Sequence, residues 1–359
     1  MALLLLAERV LKVTPAPLPV TLLSGFLGAG KTTVLNALLN DADGLRIAVV
    51  ENEFGAINID SQLVSRNRGG IIELTNGCVC CTLNADLVRG LQRLAERRAA
   101  GEWSFDWIII ETTGLADPGV VAQTFFAAPE LRDSFLLDGI AVVVDALHAQ
   151  QQLDRHPVVQ RQVGFADRLL LAKCDLAAPE ALAELSLRLA AINPRAPQQR
   201  LRHGRANPGT LLGIGGFQLD SSLLAGETQA PARFAPRAVE ERLRWARRPG
   251  VKRDEVSSCL LETGDVDLPQ VDAFVQSLID CSNEFRDLGT ELLRYKGILA
   301  IANDERKLIS QGVERVAGFD YGEAWAPGEP RRSRIVLIGR HLPEERLRES
   351  FLACAHAAR

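Results

Sequence analysis

The sequence predicts a doubly wound α/β domain with a mostly parallel sheet, followed by a smaller α+β domain. Over roughly the first 200 residues, short apolar runs rich in β-branched residues alternate with longer segments of helical periodicity. Continuous apolar runs are typical of strands in a parallel sheet that helices cover on both faces. At 359 residues the chain exceeds the usual size of one domain, which favours two separate cores.

Five apolar runs are the clearest strand candidates of the first domain: residues 20–23, 47–50, 107–110, 140–144 and 169–171. Helical patterns between them cover residues 32–39 and 85–98. In a parallel sheet of this type, ligands bind beyond the carboxyl ends of the strands. Functional residues are therefore expected directly after these runs.

A second group of patterns follows a segment rich in proline, glycine and arginine. It predicts strands at 256–262, 297–302, 307–312 and 334–338, with helices at 268–280 and 343–355. Strands and helices in this order indicate a small α+β domain. We expect four regions: a poorly ordered lead-in at 1–17, the first domain at 18–194, a connecting region at 195–250 and the C-terminal domain at 251–359.

Composition excludes several classes of protein. The net charge of −4 lacks the basic excess of a dedicated nucleic-acid binder. The apolar start has no basic residue before it and ends at Glu8 and Arg9, which argues against a signal peptide. No stretch reaches the ~20 apolar residues that span a bilayer. We expect a cytoplasmic protein with reduced thiols and with neither nucleic-acid nor membrane partners.

Residues 25–32 match the complete phosphate-binding pattern GxxxxGK[ST], between a predicted strand and a predicted helix. Glycines let backbone amides turn toward phosphates, and the helix start adds positive potential. We predict that Lys31 reaches the outer phosphates and that the Thr32 hydroxyl ligates Mg²⁺. The nucleotide contacts are expected from Gly25, Phe26, Leu27, Gly28, Ala29, Gly30, Lys31, Thr32 and Thr33.

A second nucleotide motif, residues 111–114, follows the strand candidate at 107–110. The Glu111 carboxylate can hold the Mg²⁺ shell through water, and Gly114 lets the backbone approach the γ-phosphate. With Lys31 and Thr32, these two residues are the catalytic candidates.

A third motif follows the strand candidate at 169–171 and contains Lys173 and Asp175. A carboxylate there can accept both ring N–H donors of guanine, a contact that adenine does not offer. The Lys173 stem can lie over the base. Guanine is therefore favoured over adenine, and GTP over ATP.

These motifs together resemble the CobW/YjiA family of P-loop GTPases, with the YjiA branch closest. The resemblance is carried by residues 25–33, 51–55, 76–81, 111–118, 142–146 and 165–168, and in the second domain by 292–297, 311–313 and 334–339. The most specific part is the GCxCC element at 77–81. The family resemblance implies a slow GTPase that binds Zn²⁺, and often Co²⁺ or Ni²⁺. It also implies that the protein serves a client metalloprotein and self-associates as a homodimer or higher oligomer.

Two positions depart from the family pattern. Ala172 stands where the common guanine motif has Asn, and Ala56 stands where close relatives carry a metal-binding Glu. The first departure weakens the support for strict guanine selectivity, and the second weakens the support for an additional surface metal site.

Cys78, Cys80 and Cys81 are the metal candidates, because thiolates suit Zn²⁺ and Glu51 can complete a tetrahedral set. A closed structural zinc site draws four ligands from paired motifs, and the sequence has no second CxxC or CxxH. An exchangeable site fits better. Two alternatives stay open: small cysteines packed beneath the sheet, or a redox thiol pair.

The motifs together support one working hypothesis and leave two alternatives open. GTP–Mg²⁺ binding orders the loop after Glu111 and the segment 51–60, and thereby rearranges the cysteine loop. Glu51 or Asp60 is a candidate for orienting the attacking water. The alternatives are a GTP-regulated docking or activator module with structural cysteines, and a thiol-based redox enzyme under nucleotide control.

Overall fold

The computed structural model describes residues 17–41, 44–52, 83–132, 134–202, 204–205, 208–217, 254–279 and 290–356. The predicted metal ligands Cys78, Cys80 and Cys81 lie outside these ranges, as do Ala56, Asp60 and nearly all of the predicted lead-in. The backbone of Glu51 is described, but its side chain is not.

The first sheet has six strands, all paired in parallel, in the order β2-β3-β1-β4-β5-β6. The strands are β1 (Leu18–Gly25), β2 (Ile47–Asn52), β3 (Trp107–Thr112), β4 (Phe135–Asp145), β5 (Arg168–Ala172) and β6 (Gln198–Arg200). The predicted doubly wound fold is confirmed. β6 lies among the residues that the sequence analysis assigned to the connecting region, and its polar composition hides it from a search for apolar runs.

Eight α-helices of the described chain accompany this sheet. They are α1 (Lys31–Asn40), α2 (Leu83–Ala99), α3 (Pro118–Ala127), α4 (Pro129–Arg132), α5 (Ala149–Arg155), α6 (Pro157–Phe165), α7 (Pro179–Ile192) and α8 (Pro208–Leu211). α3 begins where it does because Pro118 occupies its first turn and the Asp117 side chain accepts a hydrogen bond from the Gly119 amide.

The sheet is buried on both faces. Ile108 and Ile110 of β3 belong to one apolar cluster, whereas Ile109 between them belongs to another on the opposite face. Successive side chains of a strand point to opposite faces, so a continuous apolar strand needs cover on each side. This explains why the apolar runs located the strands.

The second sheet is antiparallel and has the order β10-β9-β8-β11-β7. Its strands are β7 (Val256–Thr263), β8 (Glu291–Ala300), β9 (Arg306–Val313), β10 (Val316–Ala324) and β11 (Ser333–Arg340). Two helices, α9 (Leu268–Ile279) and α10 (Glu344–Leu352), contribute to its apolar core. The predicted α+β character of this domain is confirmed.

Two strands of this sheet differ from the prediction: β8 is longer than predicted, and β10 was not predicted. β8 starts six residues before the predicted 297 because Arg294 and Lys296, which are buried, interrupt its apolar pattern. β10 was not predicted at all, since it is a half-exposed edge strand without a continuous apolar face.

The two domains share packed surface around α6. A Cβ added to Gly164 of α6 would lie 3.1–3.4 Å from Leu293, Val256 and Ile338, so the helix backbone lies close to the antiparallel sheet. Arg294 of β8, 3% exposed, pairs with Asp167 at 2.6 Å and donates to the Phe165 carbonyl. The interface is therefore buried and hydrogen-bonded.

Within the described ranges, none of the helices combines the length and the apolar composition that a bilayer crossing requires.

Candidate nucleotide site

The loop between β1 and α1 adopts a conformation that depends on glycine. Gly25, Gly28 and Gly30 have φ values of 139°, 72° and 102°, in the region that side-chain-bearing residues rarely adopt. A Cβ on Gly25 would also lie 2.3 Å from the Val143 carbonyl oxygen. The loop is thus a backbone cradle of the kind that the motif predicts for phosphates.

Lys31 opens α1 and folds back over this cradle. Its Nζ donates to the Gly25 carbonyl at 3.0 Å. Gly30 provides no side-chain cap to α1, so no side chain takes the place of an anion at this helix start. Thr32 is half-buried and Thr33 is exposed. The donor set of backbone amides, ammonium and hydroxyl fits a polyphosphate with Mg²⁺.

The other loop residues differ widely in exposure. Ala29 is 1% exposed and packs in the core, whereas Leu27 is 54% exposed. Phe26 is half-buried, with its ring centroid 4.7 Å from that of His156.

The motif at the end of β3 lies directly against this loop. A Cβ added to Gly114 would lie 2.6 Å from the Leu27 amide nitrogen, so only glycine permits this approach. The Thr112 hydroxyl donates to the Ser24 hydroxyl at 2.9 Å, which joins the ends of β3 and β1. The Thr113 Oγ1 atom is buried and has no hydrogen-bond partner in the described structure. A nucleotide phosphate or its metal shell would supply one.

Glu111 is half-buried at the end of β3. The strand register places it beside Leu23 of β1 on one side and beside Glu51 of β2 on the other. The predicted magnesium-shell residue and the predicted zinc ligand are therefore neighbours in the sheet.

Lys173 connects the third motif to the phosphate loop. Its backbone is left-handed, with φ 57°, and its Nζ donates to the Gly28 carbonyl and to Asp145 Oδ2, both at 2.7 Å. Asp145 is 2% exposed and also accepts from the Leu147 amide and from His148 Nδ1. These bonds fix the relative position of the loops after β1, β4 and β5.

The electrostatics favour an ionised Asp145. Burial raises the pKa of its carboxyl, but the hydrogen bonds from Lys173 and His148 outweigh burial and hold the pKa below its usual range. Asp145 was not among the predicted site residues. The available signal was its place at the end of the apolar run 140–144, where a parallel sheet presents functional side chains.

Asp175 lies in a single 3₁₀ turn, Cys174–Leu176, and is exposed, so its carboxylate is accessible to the nucleobase of a bound nucleotide. Ala172, at the place of the usual Asn, is buried and lies 4.0 Å from a Cβ added to Gly30. The methyl group of Ala172 provides no hydrogen bond to the phosphate loop. The described side-chain hydrogen bond from this motif to the loop comes from Lys173.

No cluster of three or more His, Cys, Asp or Glu side chains with metal-binding potential occurs within the described ranges. Three cysteines in these ranges, Cys174, Cys259 and Cys354, are free thiols that are buried or half-buried. Burial raises the pKa of the Cys174 and Cys354 thiols, which is typical of packing rather than reactive residues.

Two protein-family models match this chain. The nucleotide-binding domain model of CobW, HypB and UreG proteins matches residues 19–200, and the C-terminal domain model of the cobalamin synthesis protein CobW matches residues 257–355. The chain belongs to the CobW/HypB/UreG family. The family resemblance seen in the sequence is confirmed.

Within this family the chain is similar to proteins named as zinc chaperones. It is 39% identical to zinc chaperone YjiA of Escherichia coli over 93% of this chain and 98% of the relative. It is 31% identical to zinc chaperone CobW of Pseudomonas aeruginosa over 92% and 90%. The crystal structure of Zn(II)-bound YjiA GTPase from E. coli matches with a TM-score of 0.73 at 34% identity, covering 95% of this chain and 99% of that one.

We expect Asp145→Asn to lower the free energy of unfolding at pH 7 by about 1–3 kcal/mol, because Lys173 loses a buried ionic partner. Since the folded pKa of Asp145 is lowered, its contribution is fully present above the unfolded pKa of ~3.9 and is lost progressively as the pH falls from there through the folded pKa. Urea unfolding at pH 7 and pH 3.5 should therefore show a larger deficit at pH 7. Asp175→Asn, which changes an exposed carboxylate, is the control; equal deficits at both pH values would contradict the assignment.

Proposed function

We propose that this family member is a GTP-hydrolysing metallochaperone. It binds GTP–Mg²⁺, holds Zn²⁺ at the GCxCC loop, and transfers the zinc to a client metalloprotein under nucleotide control. The observation that carries the proposal is the meeting of three loops at one sheet edge, where Gly114 lies against Leu27 and Lys173 bonds to Gly28.

The chain's own residues have distinct parts in the proposed reaction of GTP with water to give GDP and phosphate. The loop amides and Lys31 bind the phosphates, and the Thr32 hydroxyl and the Glu111 carboxylate hold the magnesium and its water. When bound, Mg²⁺ neutralises developing charge on the phosphates. Gly114 lets the loop after β3 lie close to the γ-phosphate. Lys173 and Asp175 hold the guanine.

We propose a slow intrinsic rate, as the family resemblance implies. Glu51 and Asp60 are the candidates for orienting the water. A further group supplied by a partner is the usual way in which slow GTPases of other classes are accelerated.

Zinc is proposed at Cys78, Cys80, Cys81 and Glu51, with Co²⁺ or Ni²⁺ as alternative metals. The finding that supports zinc is that relatives bear the name zinc chaperone. One solved YjiA structure is a Zn(II)-bound triple mutant in which a glutamate and two cysteines are alanine. That protein therefore retains zinc without those side chains, so an experiment on this chain must count sites.

A client metalloprotein is proposed from the name of a relative that matches about half of this chain. The chain is 37% identical to zinc-regulated GTPase metalloprotein activator 1 of Schizosaccharomyces pombe over 53% of this chain and 47% of that one. We place the delivery in the cytoplasm, where the cysteines stay reduced and able to exchange metal.

Self-association is proposed through an apolar rim around the nucleotide loops, defined by Leu27, Leu115, Leu147 and Leu176. These side chains are 45–61% exposed. They follow the carboxyl ends of β1, β3, β4 and β5, which are adjacent strands of the parallel sheet. Exposed apolar residues grouped at one edge are typical of contact surfaces. A second copy seated there would cover the nucleotide.

Nucleotide binding should depend on Lys31 and discriminate between bases through Asp175. We expect Lys31→Ala to weaken GTP binding at least tenfold, because it removes a cation from the phosphates. Asp175→Asn should narrow the preference for GTP over ATP at least tenfold, about 1.4 kcal/mol, while leaving ATP affinity within twofold. Competition with a fluorescent GTP analogue measures both. Equal GTP and ATP affinities in the wild-type protein would contradict the guanine assignment.

Zinc binding should respond both to the cysteine loop and to the nucleotide. We expect Cys80→Ala to lose one zinc per chain and the wild-type zinc affinity to differ between GTP-analogue and GDP states, since coupled ligands change each other's affinity. Zinc titration against a chromophoric chelator measures stoichiometry and affinity, with Cys259→Ala as a matched buried-cysteine control. Unchanged stoichiometry in Cys80→Ala would favour the alternative, a GTP-regulated docking module with structural cysteines.

Self-association should increase with GTP analogue and decrease when the apolar rim is made polar. We expect Leu115→Ser to weaken the dimer at least tenfold, because it removes exposed apolar surface from the contact. Light scattering across a concentration series measures this. Leu352→Ser, an exposed leucine in α10 of the other domain, is the control. A wild-type protein that stays monomeric with every nucleotide contradicts the proposal.

A further inference from the structure

α6 carries a buried glutamine that holds the loop after β3. The Gln162 side chain is 1% exposed, and its Nε2 donates to the Gly114 carbonyl at 3.2 Å and to the Ala116 carbonyl at 3.0 Å. Both carbonyls belong to the loop that carries the second nucleotide motif. Gln162 therefore fixes the backbone whose Gly114 lies against the phosphate loop.

The preceding residue, Arg161, joins the same loop to the C-terminal domain. Its Nε donates to Asp117 Oδ2 at 2.6 Å, its Nη1 to Glu291 Oε1 at 2.5 Å and its Nη2 to Glu314 Oε1 at 3.1 Å. Asp117 ends the loop and caps α3, whereas Glu291 opens β8 and Glu314 lies in the turn from β9 to β10. We call Arg161, Asp117, Glu291 and Glu314 the Arg161 cluster.

The Arg161 cluster holds three carboxylates around one guanidinium, so three acidic side chains share a single positive charge. Arg161, Asp117 and Glu314 have side chains that are 18–21% exposed. Burial and the nearby negative charge of Asp117 raise the pKa of Glu314, and the charge of Glu291 adds a smaller increase. The positive charge of Arg161 lowers this pKa but does not cancel the increase. The guanidinium is a rigid planar group, so a movement of Arg161 with Glu291 or Glu314 also displaces its bond to Asp117.

The backbone at Glu314 shows a second constraint. Its φ is 49°, in the left-handed region that glutamate rarely adopts, and its amide donates to the Leu293 carbonyl at 2.9 Å. Such a conformation is strained for a residue with a side chain and persists where the surroundings enforce it. The turn is thus held in a strained form at the point where it meets the guanidinium.

We propose that Arg161 is a positioning residue for GTP hydrolysis, through which the C-terminal domain sets the position of the loop after β3. The inference rests on the proposed GTPase function. Arg161 acts through Asp117, because its hydrogen bonds in the described part of the chain go to Asp117, Glu291 and Glu314. A partner that draws Glu291 or Glu314 away from Arg161 changes the loop, and by linkage the nucleotide state changes the affinity for that partner by the same factor.

The decisive experiment measures kcat and KM for GTP in the full chain for wild type, Arg161→Met, Glu314→Gln and the double variant. We expect Arg161→Met to lower kcat about tenfold, since small displacements of reacting groups carry penalties of this size, while KM stays within twofold. Glu314→Gln should change kcat two- to fivefold, and the double variant should be non-additive because the residues share one network. Arg161→Lys should fall between Arg161→Met and wild type.

A matched control comes from a second ion pair between the domains. Arg188 of α7 donates to both oxygens of Asp254, just before β7, and its other partners lie on α5. Asp254→Asn thus breaks an interdomain pair that involves no nucleotide loop. We expect it to lower the urea midpoint while leaving kcat within twofold of wild type.

The measured kcat values distinguish a failure of the positioning role from a failure of the proposed GTPase function. If wild type hydrolyses GTP and Arg161→Met keeps kcat within twofold while losing stability like Asp254→Asn, the positioning role is overturned and the GTPase function stands. Additive effects in the double variant also overturn it. If wild type does not hydrolyse GTP, the proposed function falls and the inference with it. If Arg161→Met does not fold, Arg161→Lys and Glu314→Gln decide by the same kcat criterion.

Discussion

The parallel pairing of β1 with β3 and β4 is the constraint on which the candidate site depends. β1 is the central strand, and its loop can lie close to neighbouring loops only because all three strands end at one edge. This brings Gly114 against Leu27, although the residues are far apart in sequence. A one-residue shift in the register would turn every side chain of β3 to the other face and separate the two motifs.

The loops at that edge are held by a few polar bonds, which range from buried to exposed. Lys173 fixes the phosphate loop through Gly28 and shares Asp145 with His148. Gln162 of α6 fixes the loop after β3 by donating to two of its backbone carbonyls. Such bonds are directional, so they define one geometry where apolar packing alone would permit several. A site preorganised in this way loses less free energy in ordering its loops when a nucleotide binds.

The two domains meet through α6, and the polar residues of this helix face in both directions. Gln160 accepts from the Val256 amide of the C-terminal domain, whereas Gln162 donates to the nucleotide loop. Arg161 lies between them in sequence and contacts both domains at once. The C-terminal domain is therefore in direct hydrogen-bond contact with a nucleotide motif, which gives it a physical route to influence the proposed GTPase cycle.

The sequence by itself determined the fold class, the central strands and the places of three motifs after the carboxyl ends of those strands. Buried parallel strands are continuously apolar, so they can be located as apolar runs. The glycines at 25, 28 and 30 have positive φ values, a local requirement of the loop that the sequence motif already indicates. Edge strands such as β6 and β10 were missed because their polar or half-exposed residues leave no apolar run. Asp145 was missed although it ends the apolar run 140–144, where a parallel sheet presents functional side chains. Only the tertiary structure revealed Arg161 and Gln162 as neighbours of the site. Gln162 bonds to the loop after β3, and Arg161 bonds to this loop and to the C-terminal domain, and such long-range hydrogen bonds leave no periodic trace in a single sequence.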